Sequence, residues 1–171
     1  MREAKYGITT LVTTDESLKR YLDDVIQQLK DWLLEKALQR LVLVIVGLDS
    51  GETLERWTFN VHKEEQPAPK DGRDGGEQQP RKSQKAITQE IQNVIRQITS
   101  SVTFLPLLDE PCSFDLLAYT GNEATVPSGW DDSDPRCIKD SSEVSLRSFS
   151  TKIHKIDTVV SYKNKADEEL C

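Results

Sequence analysis

The chain has 171 residues, of which 36% are hydrophobic and 30% are charged, and its formal net charge is −7. This length and composition predict one globular domain with a real core. The acidic balance argues against nucleic acid as the main ligand, because phosphate binding needs a concentrated basic surface. No apolar targeting segment opens the sequence, and its longest apolar run, residues 41–46, is far too short to span a membrane.

The N-terminal part of the chain predicts a strand, a helix and a hairpin. Residues 6–13 are rich in β-branched side chains, which favour a short strand. Thr13 and Glu16 have the spacing of a capping box, so a helix is expected to begin there. The run 41–46 is continuously apolar, as in a strand covered on both faces, and alternation through 54–62 predicts its antiparallel partner. The helix is supported by apolar residues at helical spacing: Leu18, Tyr21, Leu22, Val25, Ile26, Leu29, Trp32 and Leu33.

One long helix and the strand after it organise the rest of the chain. The loop before them, residues 63–79, has too few apolar residues to offset its ordering entropy, so we expect it to be mobile. Ser83 is a suitable N-cap and Pro106 stops the helix, which gives about six turns. A strand follows at residues 112–120, and the polar outer face of the helix is either a solvated surface or a binding surface. The apolar stripe of the helix is Ile87, Ile91, Val94, Ile95, Ile98, Val102 and Leu105.

The C-terminal third is irregular at first and then has the pattern of strands. Residues 121–140 are rich in turn-forming residues, with Trp130 as a large apolar anchor. Residues 143–162 alternate in polarity, but the apolar positions change parity between Leu146 and Phe149 and return to the first parity at Ile156. This shift indicates either two strands with a bulge between them or a segment that can pair in more than one register.

No arrangement of residues predicts catalysis or a cofactor. The sequence has no glycine-rich phosphate loop and no nucleophile elbow. Cys112, Cys137 and Cys171 are odd in number and widely spaced, which indicates a reducing compartment rather than a disulfide framework. An enzyme built on Asp115, His154 and Cys137 is the competing hypothesis, although no pattern brings these residues together. The residues alone therefore predict no catalytic, cofactor or metal site, and they do not name a function.

Seven stretches carry a resemblance: KYGITTLVTT, YLDDVIQQLKDWL, SGETLERWTFNV, RKSQKAITQEIQNVIRQITSSVTFLPLL, CSFDLLAYT, VPSGW and LRSFSTKIHKIDTVVSYK. Together they cover most of residues 5–163 apart from the loop. The sequence resembles the HORMA-domain family, above all its spindle-assembly-checkpoint branch. This implies an α+β fold, with a mainly antiparallel sheet packed on long helices, as a single domain over residues 1–171. Family members carry a further N-terminal segment with a long core helix, so we expect this chain to be N-terminally truncated and to expose apolar surface.

The resemblance implies an adaptor that captures peptides, not an enzyme. In this family a mobile C-terminal segment, the safety belt, moves between the edges of the sheet and closes over a partner peptide. Here the belt corresponds to about residues 122–170, and the strand that receives the peptide to residues 112–120, as in strand addition. The implied peptide-binding residues are Phe114, Asp115, Leu116, Leu117, Ala118, Tyr119 and Trp130. The implied belt anchors are Ile153, His154, Ile156, Val160 and Tyr162.

The resemblance also implies partners and a place in the cell. The partners are a coiled-coil checkpoint receptor at kinetochores and the activator subunit of the anaphase-promoting complex, whose inhibition delays anaphase. A second copy of the protein, in the other of the two belt conformations, binds at the central helix through a motif that falls on Arg96, Gln97 and Phe104. The implied locations are nucleus, kinetochore and cytoplasm, without binding to nucleic acid or membranes. A translesion-polymerase or meiotic-axis subunit of the same family is the alternative function.

Overall fold

The computed structural model describes residues 1–63, 82–151 and 153–164. Apart from Lys63, the loop predicted at residues 63–79 lies outside the described residues, as does the end of the predicted belt beyond Asn164. The elements are, in chain order, β1 (Arg2–Lys5), β2 (Ile8–Leu11), α1 (Glu16–Leu34), β3 (Leu38–Gly47), β4 (Thr53–Lys63), α2 (Gln84–Ser100), a short 3₁₀ helix (Ser101–Thr103), β5 (Cys112–Thr120), β6 (Ser141–Ser145), β7 (Phe149–Ser150) and β8 (His154–Lys163).

One six-stranded antiparallel sheet forms the centre of the fold. Its strands lie in the order β5, β3, β4, β8 and β6, and β7 pairs with β8 beyond the end of β6. The predicted hairpin is confirmed as β3 and β4, although both strands are longer than the apolar pattern suggested. The predicted α+β class, with an antiparallel sheet against two helices, is also confirmed.

The main core lies between the sheet and α2. Trp57 of β4, Val160 of β8 and Leu146, which follows β6, are buried together, and Val160 has no exposed surface. Ile98 of α2 and Leu105 pack against this group. Burial of large apolar side chains is the dominant stabilising term here.

The helix α2 ends earlier than predicted. The α-helix stops at Ser100 and continues as one 3₁₀ turn, well before Pro106. A 3₁₀ turn has three residues per turn and not 3.6, so positions after Ser100 rotate off the apolar stripe. Val102, predicted on that stripe, is 75% exposed for this reason, whereas Leu105 still reaches the core.

The start of α1 also differs from the prediction. The N-cap is Asp15, whose carboxylate accepts hydrogen bonds from the backbone N–H groups of Ser17 and Leu18 at 2.8 and 3.0 Å. Thr13 lies two residues too early for that position and instead accepts from the N–H of Asp15. A carboxylate at a helix N-terminus also interacts favourably with the helix dipole, which a threonine cannot reproduce.

The predicted N-terminal strand is one half of a small hairpin. β1 and β2 pair through a turn at Tyr6 and Gly7, both with positive φ (53° and 72°). The carbonyl of Gly7 accepts a hydrogen bond from the side-chain amide of Gln92, which connects the hairpin to α2. The sequence pattern missed β1 because its residues are polar and fully exposed.

A carboxylate connects the β3–β4 turn to the start of β5. Glu110 accepts hydrogen bonds from the N–H groups of Asp49 and Ser50 and from the Ser50 hydroxyl, at 2.7–2.9 Å. The hydroxyl and N–H of Ser50 hold the pKa of Glu110 below its usual value. Gly51, predicted to allow this turn, has φ of 68°.

The change of parity in the C-terminal strands is caused by a bulge. Val144 pairs with Val160, and Phe149 pairs with Ile156, so a five-residue step on one side faces a four-residue step on the other. The extra residue moves the apolar positions from even to odd numbers without moving them to the other face. The interpretation as two strands with a bulge is therefore confirmed, and pairing in a second register stays a prediction.

The buried core predicts how much the free energy of unfolding falls when a core side chain is shortened. Replacing Val160 by alanine removes two methyl groups from a fully buried site, which should lower the free energy of unfolding by about 2 kcal/mol. The matched control is Val102→Ala, at a site 75% exposed, where a change below about 0.5 kcal/mol is expected. Urea unfolding of both variants measures the difference, and equal costs would contradict this description of the core.

Candidate functional site

A groove of about 640 Å³ runs between α1 and the outer edge of β5. Its third wall is the segment that follows β5. The groove is lined by residues from these three parts of the chain: Tyr21, Asp24, Val25, Gln28, Leu116, Leu117, Ala118, Tyr119, Pro127, Gly129, Trp130, Asp131, Asp132, Ser133 and Asp134.

The outer edge of β5 has no strand beside it in the described part of the chain. β5 is the first strand of the sheet and pairs only with β3, over Cys112–Thr120. An edge strand presents a row of N–H and C=O groups without ladder partners, which can bind another extended chain. The groove therefore offers main-chain hydrogen bonds along one of its walls.

Two tryptophans attach the segment after β5 to α1. The ring of Trp130 packs edge-on against Trp32, with centroids 4.9 Å apart, and Trp32 is 2% exposed. The indole N–H of Trp32 also donates to the carbonyl of Thr125 at 3.0 Å. Apolar contact and a partly buried hydrogen bond together hold this segment across the groove from β5.

The chain then crosses the sheet to its opposite end. We call residues 121–140 the crossing segment. The guanidinium of Arg56 in β4 donates to the carbonyl of Pro135 at 3.3 Å, and Arg136 lies 3.8 Å from the carboxylate of Asp115 in β5. The next strand, β6, lies at the far edge of the sheet, beyond β8. The crossing segment thus forms the third wall of the groove.

The groove is acidic. Four of the residues that line it are aspartates, one from α1 and three from the crossing segment, and no lysine or arginine lines it among the described residues. A ligand that occupies the groove is therefore favoured if it carries positive charge. The four aspartates are Asp24, Asp131, Asp132 and Asp134.

The structure brings most of the predicted peptide-binding residues into this groove. Leu116, Leu117, Ala118, Tyr119 and Trp130 line it. The two other predicted residues of β5 do not: Phe114 packs edge-on against Tyr21 at 6.1 Å, and Asp115 faces Arg136.

Sequence reasoning missed the contribution of α1. Tyr21, Asp24 and Gln28 line the groove, because spacings of three and four place them on one face of the helix. The available signal was a polar continuation of the apolar stripe at these positions. The acidic residues of the crossing segment were also missed.

The five predicted belt anchors have different environments. Val160 is in the core, and Ile156 and Tyr162 are half-buried in β8. His154 begins β8 opposite Lys63, and its N–H donates to the hydroxyl of Thr151. Ile153 is 55% exposed and precedes the strand, so it makes the smallest contribution to burial.

The three predicted dimerisation residues differ in exposure. Arg96 is exposed on α2. Phe104 is 42% exposed and tilts against the ring of Tyr162 at 6.4 Å. Gln97 accepts a hydrogen bond from the backbone N–H of Arg147 at 2.6 Å, so its side-chain oxygen already has a partner within the chain.

The three residues of the competing enzyme hypothesis do not form a site. Asp115 is in β5 and His154 in β8, with β3 and β4 between them. Among the described residues no group of histidine, cysteine and carboxylate side chains could hold a metal, and none of the helices has the length and apolar character to cross a bilayer. Burial and the carboxylates of Glu110 and Glu55 raise the pKa of the Cys112 thiol, which disfavours the reactive thiolate.

Comparison with known families defines the class of this fold. The HORMA domain profile matches residues 2–154. The chain belongs to the HORMA-domain family.

Named relatives define the branch of the family. The human mitotic spindle assembly checkpoint protein MAD2A is 53% identical over 166 residues, which cover 95% of this chain and 76% of that protein. The mitotic spindle checkpoint protein MAD2 of Arabidopsis thaliana is 46% identical, covering 96% of this chain and 77% of its own. The checkpoint component mad2 of Schizosaccharomyces pombe is also 46% identical, covering 93% and 76%.

Solved structures agree with this placement. A chain of the mitotic checkpoint complex superposes with a TM-score of 0.83 at 42% identity, covering 96% of this chain and 83% of that chain. C. elegans HTP-2 bound to a HIM-3 closure motif has a TM-score of 0.72, covering 96% of this chain and 79% of that chain, but only 14% identity, so it shows the shared fold alone. The checkpoint branch is thus favoured over the other branches of the family.

The attachment of the crossing segment to α1 is testable. Trp130→Ala removes the ring that packs on Trp32, so backbone amides of residues 121–134 should exchange hydrogen about ten times faster. Val126→Ala is the matched control, because Val126 is in the same segment but is 56% exposed. Hydrogen exchange read by mass spectrometry compares the two, and unchanged protection in the Trp130 variant would contradict the proposed attachment.

Proposed function

We propose that this protein is a spindle-assembly-checkpoint adaptor that captures a short peptide of a partner protein as an added strand on β5. The observation that carries the proposal is the unpaired outer edge of β5 inside a groove closed by α1 and the crossing segment. A peptide in this place satisfies the main-chain groups of β5, and its side chains contact the walls of the groove.

Main-chain pairing supplies affinity, and the groove supplies selectivity. β5 offers nine residues, enough for a peptide segment of similar length. The aspartates on both walls favour a peptide that carries lysine or arginine where it faces them. Half-buried Leu116 and Leu117 favour apolar side chains elsewhere in the peptide.

The relatives support the choice of partners. Their names place them in the mitotic spindle checkpoint, and the matched structure is a mitotic checkpoint complex. The proposed partners are the coiled-coil checkpoint receptor at kinetochores and the activator subunit of the anaphase-promoting complex, whose capture delays anaphase. The proposed locations are nucleus, kinetochore and cytoplasm, and the proposed activity is binding without catalysis.

Peptide capture can be measured directly. Overlapping 15-residue synthetic peptides that span the two proposed partners are titrated into ¹⁵N-labelled protein. We expect those that bind to shift the amide signals of Cys112–Thr120 and of the crossing segment. Binding that leaves the β5 signals unchanged would show that the peptide does not add to this strand.

The charge of the groove gives a second measurement on the same peptides. Removing two charges with the double variant Asp131→Asn, Asp132→Asn should weaken the affinity for a basic peptide about three- to tenfold, because exposed charge pairs contribute modestly. The control double variant Glu3→Gln, Glu16→Gln removes two exposed charges outside the groove and should not change the affinity. The difference between the two variants should shrink as salt is added, and equal affinities at low salt would contradict an electrostatic role.

Self-association through α2 is part of the proposal and has its own test. Arg96 is exposed on α2, so Arg96→Glu should weaken association between copies without lowering peptide affinity. Lys30→Glu makes the same charge change on exposed α1 and serves as the control. Sedimentation velocity across a dilution series measures association, and unchanged association in the Arg96 variant would remove this residue from the interface.

A further inference from the structure

Two backbone N–H groups near the bulge between β6 and β7 donate hydrogen bonds to side chains of α2. We call residues 141–163 the belt hairpin. The N–H of Arg147 donates to the side-chain oxygen Oε1 of Gln97 at 2.6 Å, and the N–H of Ser150 donates to Oε2 of Glu90 at 3.0 Å. The outer strand of the belt hairpin is therefore bound to side chains of α2 where its pairing with β8 is irregular.

A lysine strengthens one of these contacts. The ammonium of Lys82 lies 2.5 Å from Oε1 of Glu90 and donates to the hydroxyl of Ser150 at 2.7 Å. Both oxygens of the Glu90 carboxylate are thus engaged, one by the lysine and one by the belt hairpin. Charge-assisted hydrogen bonds of this kind are stronger than neutral ones.

The distance between the two acceptors on α2 matches the distance between the two donors on the belt hairpin. Glu90 and Gln97 are seven residues apart, which is two helical turns, or roughly 10.5 Å along α2. Arg147 and Ser150 are three residues apart, which is roughly 10 Å along an extended chain. Two acceptors on one face of the helix are therefore spaced like the two donors near the bulge.

We propose that Lys82, Glu90 and Gln97 form a clamp that holds the belt hairpin against α2 and sets how fast a captured peptide is released. The inference rests on the proposed function, because release requires the crossing segment to move away from β5. The crossing segment is held at one end by α1 and at the other by the belt hairpin, so detachment of the hairpin from α2 is a step toward opening. The clamp residues are positioning residues and do not line the peptide groove.

The charges around Glu90 support this role. Lys82, Arg147 and Lys155 line the same small cavity as the carboxylate, and no second carboxylate lines it in the described residues. Burial raises the pKa of Glu90, but the hydrogen bond from Lys82, the N–H of Ser150 and the charge of Lys82 outweigh it, so the pKa is lowered overall. A lowered carboxyl pKa means that the contribution is present above the usual Glu value and is lost as the pH falls through the lowered value.

The clamp also gives Gln97 a function within one molecule. While Gln97 binds the N–H of Arg147, one acceptor position of its side-chain oxygen is occupied and the side chain is held toward the belt hairpin. Detachment of the belt hairpin therefore changes the surface that α2 presents.

Four variants of the full chain test the clamp. Gln97→Ala removes one acceptor, and the double variant Glu90→Ala, Gln97→Ala removes both. Gln97→Glu keeps an acceptor oxygen of the same reach and makes it charged, so the contact should be kept or strengthened. Gln89→Ala is the matched control, because Gln89 is exposed on α2 and, among the described residues, its side chain bonds to Gln92 and Asn93 of the same helix.

Two readouts are taken on each variant. The first is hydrogen exchange at the amides of Arg147 and Ser150 in the protein without peptide. The second is the dissociation rate of a fluorescein-labelled synthetic peptide, chosen as the tightest binder among the partner peptides above and displaced by unlabelled peptide. We expect about fivefold faster exchange and release for Gln97→Ala, on the order of fiftyfold for the double variant, and no change for Gln89→Ala. For Gln97→Glu we expect exchange and release that are equally slow or slower, because a carboxylate accepts a stronger hydrogen bond than an amide oxygen.

The two readouts separate failure of the clamp from failure of the proposed function. If no peptide binds the unmodified protein, the proposed function fails, and the inference about release fails with it, whatever the exchange shows. If the peptide binds but the double variant releases it at the unmodified rate, the clamp is overturned while peptide capture stands. Faster release in Gln89→Ala or Gln97→Glu would also overturn it, because the effect would then not depend on the acceptors.

Discussion

The pairing of β8 with β4 is the constraint on which the rest of the structure depends. It continues from Glu55 to Lys63 on one strand and from His154 to Tyr162 on the other, and it buries Val160 completely. Because β8 pairs with β4, β8 and β6 lie on the side of the sheet opposite β5. The outer edge of β5 therefore has no partner in the described residues. The crossing segment must then run from one end of the sheet to the other. The groove is a consequence of that path.

The path of the crossing segment past the unpaired edge of β5 affects how fast a captured peptide would dissociate. A peptide paired with β5 lies between α1 and a segment that is attached at both ends, so it cannot leave sideways without movement of that segment. Its residence time is then governed by local opening of the protein as well as by its own contacts. For this reason the proposed clamp on α2 would influence the release of a peptide although it lies outside the groove. In the proposed function, main-chain pairing has little selectivity, and the acidic lining would select among peptides.

The success of sequence reasoning varied with the range of the interaction. The hairpin of β3 and β4 and the strand β5 were predicted, because apolar runs and alternation record which side chains face the core. The bulge near Leu146 was one of two interpretations of the same pattern. The cap of α1 was assigned to Thr13 and not Asp15, since two capping residues lie within one turn and only the backbone geometry selects between them. The end of α2 was misplaced because a 3₁₀ turn leaves little trace in an apolar pattern. β1 was missed because nothing in it is buried.

The sequence by itself determined the class of the fold, the position of the strand β5 and, through its resemblance to a family, the expected function. These features depend on local periodicity and on stretches of similar residues, which are properties of the chain in one dimension. Only the tertiary structure decided which edge of the sheet the belt hairpin occupies, that Tyr21 and Asp24 face Leu116 and Asp132 across a groove, and that Gln97 binds the belt hairpin. Each of these joins segments that are many residues apart, and the sequence pattern of each segment is compatible with more than one partner. The burial of Val160 against Trp57 selects one arrangement, and the groove follows from it.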